Sequence, residues 1–262
     1  MTQIITDAEL VNKYAQELSQ EPELKVETQA PAGPEVKLPG GLVVDGQLVT
    51  TAEVRELTGL DEEAISKVAT TGKALSLLLQ RGLVKIGDKT ATAEDLDNLL
   101  SGDRDAILLG IRKITFGDTV KYNMTCPNCL VPQEVTISLT DDVPVKTLDN
   151  QSDRTWRIET KKGYITVSLP TGVTQKKLFE NVDKSAAEIN TMLLAGCVLS
   201  VNDVPSMGAS TVLNIGIGDR AKIIDEVLSR NPGPRLGEVT TICQACGETI
   251  AFPLSLVDLF RI

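Results

Sequence analysis

Apolar positions along the chain follow two rhythms. Val135, Ile137 and Leu139 alternate with polar residues, which turns one face of a strand into a core. Residues 119–124 and 238–242 also read as strands, and residues 155–160 and 164–169 as a hairpin turning at Lys162-Gly163. Leu42-Val43-Val44 and Gln47-Leu48-Val49 flank Asp45-Gly46, a strong signal for a two-residue hairpin. Helical spacing appears elsewhere. Asp7 caps a stripe of Leu10, Val11, Tyr14 and Leu18, predicting an amphipathic helix over residues 7–18. Residues 51–57 read as a capped helix stopped at Gly59, with a second helix from near Asp61 and a buried third around residues 74–79. Leu178, Val182, Ala186, Ile189 and Leu193 predict one helix from about Thr174 to Leu194, which leaves Cys197 as a small buried hydrophobe. Between the rhythmic segments, residues 21–40 carry Pro22, Pro31, Pro34 and Pro39 and read as an extended linker. Residues 254–262 are apolar and should pack on the body or on a partner.

Composition narrows the chemistry. The 262 residues are 42% hydrophobic and 24% charged, but only 3% aromatic, so the core is aliphatic. The net charge of −10 argues against a nucleic-acid binder, which needs a basic footprint. No apolar run is long enough to span a membrane, and the N-terminus lacks the basic and apolar regions of a signal peptide, so a cytoplasmic location is expected. There is no histidine, which removes the commonest general base and the triads built on it. Walker A, G-x-S-x-G, H-E-x-x-H and kinase signatures are absent, and Gly216-Ile217-Gly218 lacks the rest of a dinucleotide fingerprint. The acidic runs Asp141-Asp142 and Asp61-Glu62-Glu63 read as solvated turns and helix starts.

Four of the five cysteines form two pairs, Cys126-Pro127-Asn128-Cys129 and Cys243-Gln244-Ala245-Cys246-Gly247. A C-x-x-C turn aims two sulfurs at one point, and two such turns make a closed tetrahedral Zn²⁺ site with no open position for water. Each pair follows a strand-like run, the layout of a zinc ribbon, and neither opens the amphipathic helix that a thioredoxin-type redox pair needs. The expected ligands are Cys126, Cys129, Cys243 and Cys246, holding one structural Zn²⁺.

An internal echo accounts for the wide gap between the pairs. Gly102-Asp103-Arg104 and Gly218-Asp219-Arg220 both open a helical run that leads through a strand to a knuckle. Ile107, Leu108 and Ile111 match Ile223, Ile224 and Val227. This predicts a duplicated helix–strand–knuckle unit, each copy supplying half of a metal site, and a pseudo-two-fold is one way to arrange the copies. Asp103 and Asp219 are expected as helix N-caps, with Arg104 and Arg220 either in local ion pairs or exposed for docking.

The predicted fold is α+β: a zinc-ribbon-like body of two helix–strand–knuckle half-units around a β-hairpin and helix insertion. Expected boundaries are an N-terminal helix and linker arm over residues 1–40, a small hairpin-helix unit over 41–90, and a zinc-stapled domain over 91–262 with the insertion at 130–217.

Arg55-Glu56-Leu57-Thr58-Gly59-Leu60-Asp61-Glu62-Glu63, Leu99-Leu100-Ser101-Gly102-Asp103-Arg104, Phe116-Gly117, Cys126-Pro127-Asn128-Cys129, Leu169-Pro170-Thr171-Gly172 and the late C-x-x-C-G occur in that order. Over roughly residues 42–262 this pattern resembles the baseplate hub assembly proteins (chaperones) of T-even-like contractile-tailed phages and related contractile injection systems. The resemblance implies a protein without enzymatic activity that helps the hub and central spike form and dock beneath the tail tube. It implies partners among baseplate, hub and spike proteins, with no nucleic acid, membrane span or small-molecule substrate. The expected location is the cytoplasm of the producing cell, with retention in the finished particle left open. Two alternatives stand beside it: a zinc-ribbon module of a nucleic-acid-associated complex, and a C-x-x-C thiol oxidoreductase.

Overall fold

Asp45 and Gly46 take φ of 50° and 76°, so β1 (Glu35–Val44) and β2 (Gln47–Val54) close through the tight turn that the sequence predicts. The computed structural model describes residues 33–260, which belong to one compact unit beginning at Gly33. The helix expected over residues 7–18 lies outside the described residues. Strand β1 begins inside the stretch expected as linker, and residues 51–54 continue β2 rather than opening a helix. Their side chains alternate between half-buried and buried, the period of a strand. Helix α1 (Gly59–Ser66) starts behind Thr58, whose hydroxyl and backbone share a capping box with Asp61. Helix α2 (Thr71–Gly82) runs straight into β3 (Leu83–Ile86), which turns at Gly87 into β4 (Lys89–Thr90). A second capping box, Thr92 with Asp95, starts α3 (Ala93–Asn98). Then come α4 (Ser101–Phe116) and the hairpin of β5 (Thr119–Thr125) and β6 (Pro132–Ser138), whose turn carries Cys126 and Cys129.

After the short β7 (Val145–Lys146) the same order begins again. Strands β8 (Thr155–Thr160) and β9 (Gly163–Ser168) form a hairpin, followed by α5 (Gly172–Phe179) and α6 (Ala186–Cys197). Helix α6 runs into β10 (Val198–Val201), which turns at Asn202 and Asp203 into β11 (Val204–Pro205). Next are α7 (Ala209–Val212) and α8 (Ile217–Arg230), then β12 (Gly233–Pro234), which pairs with β7. The hairpin of β13 (Thr240–Ile242) and β14 (Thr249–Ala251) carries Cys243 and Cys246, and α9 (Leu256–Phe260) closes the described chain.

The two passages share element order and sheet order. One four-stranded antiparallel sheet runs β1-β2-β3-β4, the other β8-β9-β10-β11. The duplication read from Gly-Asp-Arg to the knuckle is therefore the last third of a longer repeat. Repeat 1 covers residues 35–138 and repeat 2 covers residues 155–251. The stretch read as an insertion holds the first two-thirds of repeat 2. Each repeat has its own aliphatic core: Leu38, Val54, Leu78, Leu79, Ile107 and Ile111 in the first, and Ile158, Val167, Leu194, Cys197, Ile223 and Val227 in the second.

Three other expectations meet a different structure. The long helix over residues 174–194 is two helices, because Ser185 and Glu188 form a capping box that starts α6 afresh, and Val182 is left exposed in the turn. The N-caps of α4 and α8 are Leu100 and Gly216, not the aspartates three residues later. Asp61 is not in a solvated helix start: it is buried and bonded to Arg55, Arg81 and Thr58. The Arg55 guanidinium is the main reason its carboxyl sits well below the usual range. The apolar C-terminal segment packs on the body, with Leu259 and Phe260 buried and the Leu259 carbonyl accepting a 2.7 Å bond from Arg112 Nε.

Candidate metal centre

Strand pairing carries both cysteine turns to one place. Strands β5 and β6 pair over seven residues from Thr119↔Ser138 to Thr125↔Pro132, and Cys126 is the next residue. Strands β13 and β14 pair over three, and Cys243 follows Ile242. The turns are copies in detail. Cys126 N–H donates to the Val131 carbonyl at 3.0 Å and Cys243 N–H to the Glu248 carbonyl at 2.9 Å. Leu130 N–H donates to the Cys126 carbonyl and Gly247 N–H to the Cys243 carbonyl. Both closing residues need positive φ, 61° at Leu130 and 74° at Gly247, so the second turn has the residue that the geometry favours and the first does not.

The four sulfurs lie within 4.8 Å of one another. Cys126 Sγ is 3.9 Å from Cys246 Sγ, and Cys129 Sγ is 3.7 Å from Cys243 Sγ. Exchanging the two knuckles leaves this set of close pairs unchanged, which is pseudo-two-fold symmetry at the cluster. Four thiolates at roughly 2.3 Å from a tetrahedral Zn²⁺ stand about 3.8 Å apart, so the observed spacing fits the ion. It does not fit disulfides, whose sulfurs bond at about 2.05 Å, and all five cysteines are free. Cys126 and Cys243 are buried, with Ile250 packed against them, while Cys129 is half-buried and Cys246 exposed.

Backbone N–H groups favour the thiolate at Cys126 and Cys246. The Cys129 N–H holds the Cys126 thiol below its usual range, and the Glu248 N–H brings Cys246 down to about 7. Cys129 goes the other way. Although the Val131 N–H favours its thiolate, burial and the three neighbouring sulfurs push it up to about 12. Four sulfurs this close share negative charge only if a cation sits among them. Sequence reasoning missed the contacts that lock the knuckles together: Gln244 N–H donates to Gln133 Oε1 at 3.1 Å, and Asn128 Nδ2 approaches Cys246 Sγ at 3.7 Å. Asn128 and Gln244 occupy x positions of the two C-x-x-C motifs, which the motif leaves unspecified.

The arginines of the Gly-Asp-Arg pair are structural. Arg104 is buried, bonding the Leu96 carbonyl and Gln175 Oε1, both at 2.7 Å. Arg220 is half-buried and bonds the Val212 carbonyl at 3.0 Å, eight residues upstream as Leu96 is from Arg104. Asp103 is buried and takes the Gly40 N–H on Oδ1 at 2.7 Å, and its Oδ2 has no hydrogen-bond partner among the described residues. Burial pushes its pKa up to about 6. Cys197 is buried as expected, its thiol pushed up to about 12 by desolvation.

The family model of the T4 bacteriophage base plate protein matches residues 35–211, more than half of the chain. The chain belongs to the T4 bacteriophage base plate protein family. The matched segment runs from β1 to α7, so it includes the first knuckle and stops before Cys243. No curated protein and no solved structure gives a significant match. Among the described residues, no helix of this base plate family member is long and apolar enough to cross a membrane.

Proposed function

We propose that this chain is a hub component or hub assembly chaperone of a contractile-tail baseplate, stapled by one structural Zn²⁺ and acting through protein contacts rather than catalysis. The family match over residues 35–211 carries this reading. The four-cysteine cluster supports the staple, since sulfurs spaced for a tetrahedral ion from two distant turns have a structural use and leave no position for a substrate. On this reading Cys126, Cys129, Cys243 and Cys246 hold the ion, both knuckle hairpins form a zinc-ribbon-like centre, and the partners are other baseplate, hub or spike proteins. Metal binding then supplies folding free energy that the two hairpins lack alone.

Two measurements test it. Elemental mass spectrometry on protein purified without added metal should give one zinc per chain. Affinity capture from cells assembling the particle should bring down hub or spike subunits. Zinc-free protein with an unchanged melt would remove the staple, and capture of no baseplate subunit would remove the hub assignment.

A further inference from the structure

Repeat 2 is fastened to repeat 1 by a compact joint. The loop Leu169–Gly172 lies along Leu99–Ser101: Ser101 N–H donates to the Pro170 carbonyl at 2.9 Å, Gly172 N–H donates to the Leu99 carbonyl at 2.8 Å, and Leu100 bridges Thr171. Gln175, one turn into α5, accepts from Arg104 Nε and donates to Asp105 at 2.7 Å. Gly172 is required here because a side chain would sit 2.1 Å from the Leu96 carbonyl oxygen.

Both halves of this joint exist a second time. The receiving half recurs in repeat 2 at residues 215–220. Gly216 (φ −61°, ψ 145°) reproduces the turn of Leu100 (φ −64°, ψ 149°), and Arg220 holds the Val212 carbonyl as Arg104 holds that of Leu96. The inserting half recurs in repeat 1 at residues 57–62. Thr58 (φ −109°, ψ 170°) reproduces Thr171 (φ −102°, ψ 178°), Gly59 stands for Gly172, and Glu62 stands where Gln175 meets the arginine. A carboxylate at that position suits Arg220 better than an amide does. The Lys176–Asp97 pair is not reproduced, since Glu63 and Leu213 stand there.

Among the described residues no loop fills these second copies, and beyond the Val212 carbonyl Arg220 bonds only Thr191 Oγ1, at 2.8 Å. Ser101 is 8% exposed, but its counterpart Ile217 is 88% exposed, and Leu213, the counterpart of Asp97, is 65% exposed. Leu60 is 76% exposed, and nothing lies within 4 Å of a Cβ built on Gly59. No backbone hydrogen bond takes the Ile217 N–H, the Ile215 carbonyl, the Gly59 N–H or the Leu57 carbonyl among the described residues.

We infer that copies of this chain join head to tail, the Leu57–Glu62 loop of one seated on Ile215–Arg220 of the next. The contact between chains repeats the one that joins repeat 1 to repeat 2 inside each chain. It is heterologous, so the rotation per copy decides between a closed ring and an open row. It depends neither on the metal nor on which baseplate subunit the chain meets.

The test uses the full chain and two variants, Gly59→Arg, which blocks the inserting loop, and Ile217→Asp, which spoils the receiving edge. Both sites are solvent-facing, so each variant should keep the wild-type melt and metal content. Sedimentation over a concentration series should show the wild type associating and each variant alone monomeric. An equimolar mixture should stop at a 1:1 dimer, because one intact half remains on each partner. Monomeric wild type, association that survives both substitutions, or variants that fail to pair when mixed would each overturn the inference.

Discussion

Repeats 1 and 2 share one plan and use it differently. Helix α4 is buried on several faces through Arg112: Ile107, Leu108 and Ile111 face the core of repeat 1, while Leu109 faces the cluster formed by the first knuckle hairpin and the C-terminal segment. Its counterpart α8 buries Ile223 and Val227 and turns its other faces to solvent. Identical topology thus gives a central helix in one copy and an amphipathic surface helix in the other. The difference comes from neighbours: α4 lies under β12, α5 and α9, all of them from beyond repeat 1. A duplicated unit becomes a body by burying one copy's surface beneath the other, and the copy left outside retains the matching surface unsatisfied.

The knuckle hairpins offer the largest way to break this comparison. Seven residue pairs support the first and three the second. Chelation, or Cys243→Ser, should remove stabilisation on the order of 10 kcal/mol at the site. Hydrogen exchange should show Thr240–Ile242 losing protection before Thr119–Thr125. Equal loss in both hairpins would mean that the first has no support of its own.

Equivalent glycines should respond with opposite sign. Gly172→Ala drives a methyl group into the Leu96 carbonyl and should cost about 3 kcal/mol. Gly59→Ala meets nothing and should gain about 0.5 kcal/mol through the unfolded chain. Urea titration of the two variants, at a concentration where the wild type is monomeric, measures both.

Asp103 and Asp219 are the next pair. Asp103 has a folded pKa of about 6, above its unfolded value, so the folded state holds its proton longer. Stability should therefore fall as pH rises from about 4 to about 6 and level off above. Asp103→Asn should flatten that slope and stabilise the protein at pH 7 by about 2 kcal/mol. Asp219→Asn removes only a carboxylate from the first turn of an exposed helix and should cost a few tenths of a kcal/mol. Asp61 works in the opposite sense. Its pKa is depressed, so its contribution is present above its unfolded value and is lost as pH falls below about 4. Melts of wild type and variants across this range separate the three.

The smallest effect is at the knuckle turns. Leu130→Gly should stabilise by about 0.5–1 kcal/mol because it relieves positive φ, and Gly247→Ala should destabilise by a similar amount. Equal responses in thermal melts would mean that the two turns are less alike than their hydrogen bonds indicate.

Most of the strands were legible in the sequence because alternation and turn chemistry are local: Asp45-Gly46, Val135/Ile137/Leu139 and the 155–168 hairpin all lie where their residues place them. The long helix failed because a hydrophobic stripe at the right spacing does not reveal that Ser185 and Glu188 restart it. The β10–β11 hairpin had a signal, Asn202-Asp203 between apolar residues, both at positive φ. Once it is recognised, the repeat extends back from the knuckle to the first hairpin.

By itself the sequence determined the four cysteines, their pairing into knuckles, the Gly-Asp-Arg echo and the aliphatic composition of the core, since each depends on residues close together in the chain or on counts. Only the tertiary structure decided that the four sulfurs meet at the spacing of a tetrahedral ion, that Arg104 is buried while Arg220 is partly open, and that one joint is filled while its twin is not. Those outcomes depend on how one repeat lies on the other, a relation between residues far apart in the chain, such as Arg104 and Gln175, that no local pattern encodes.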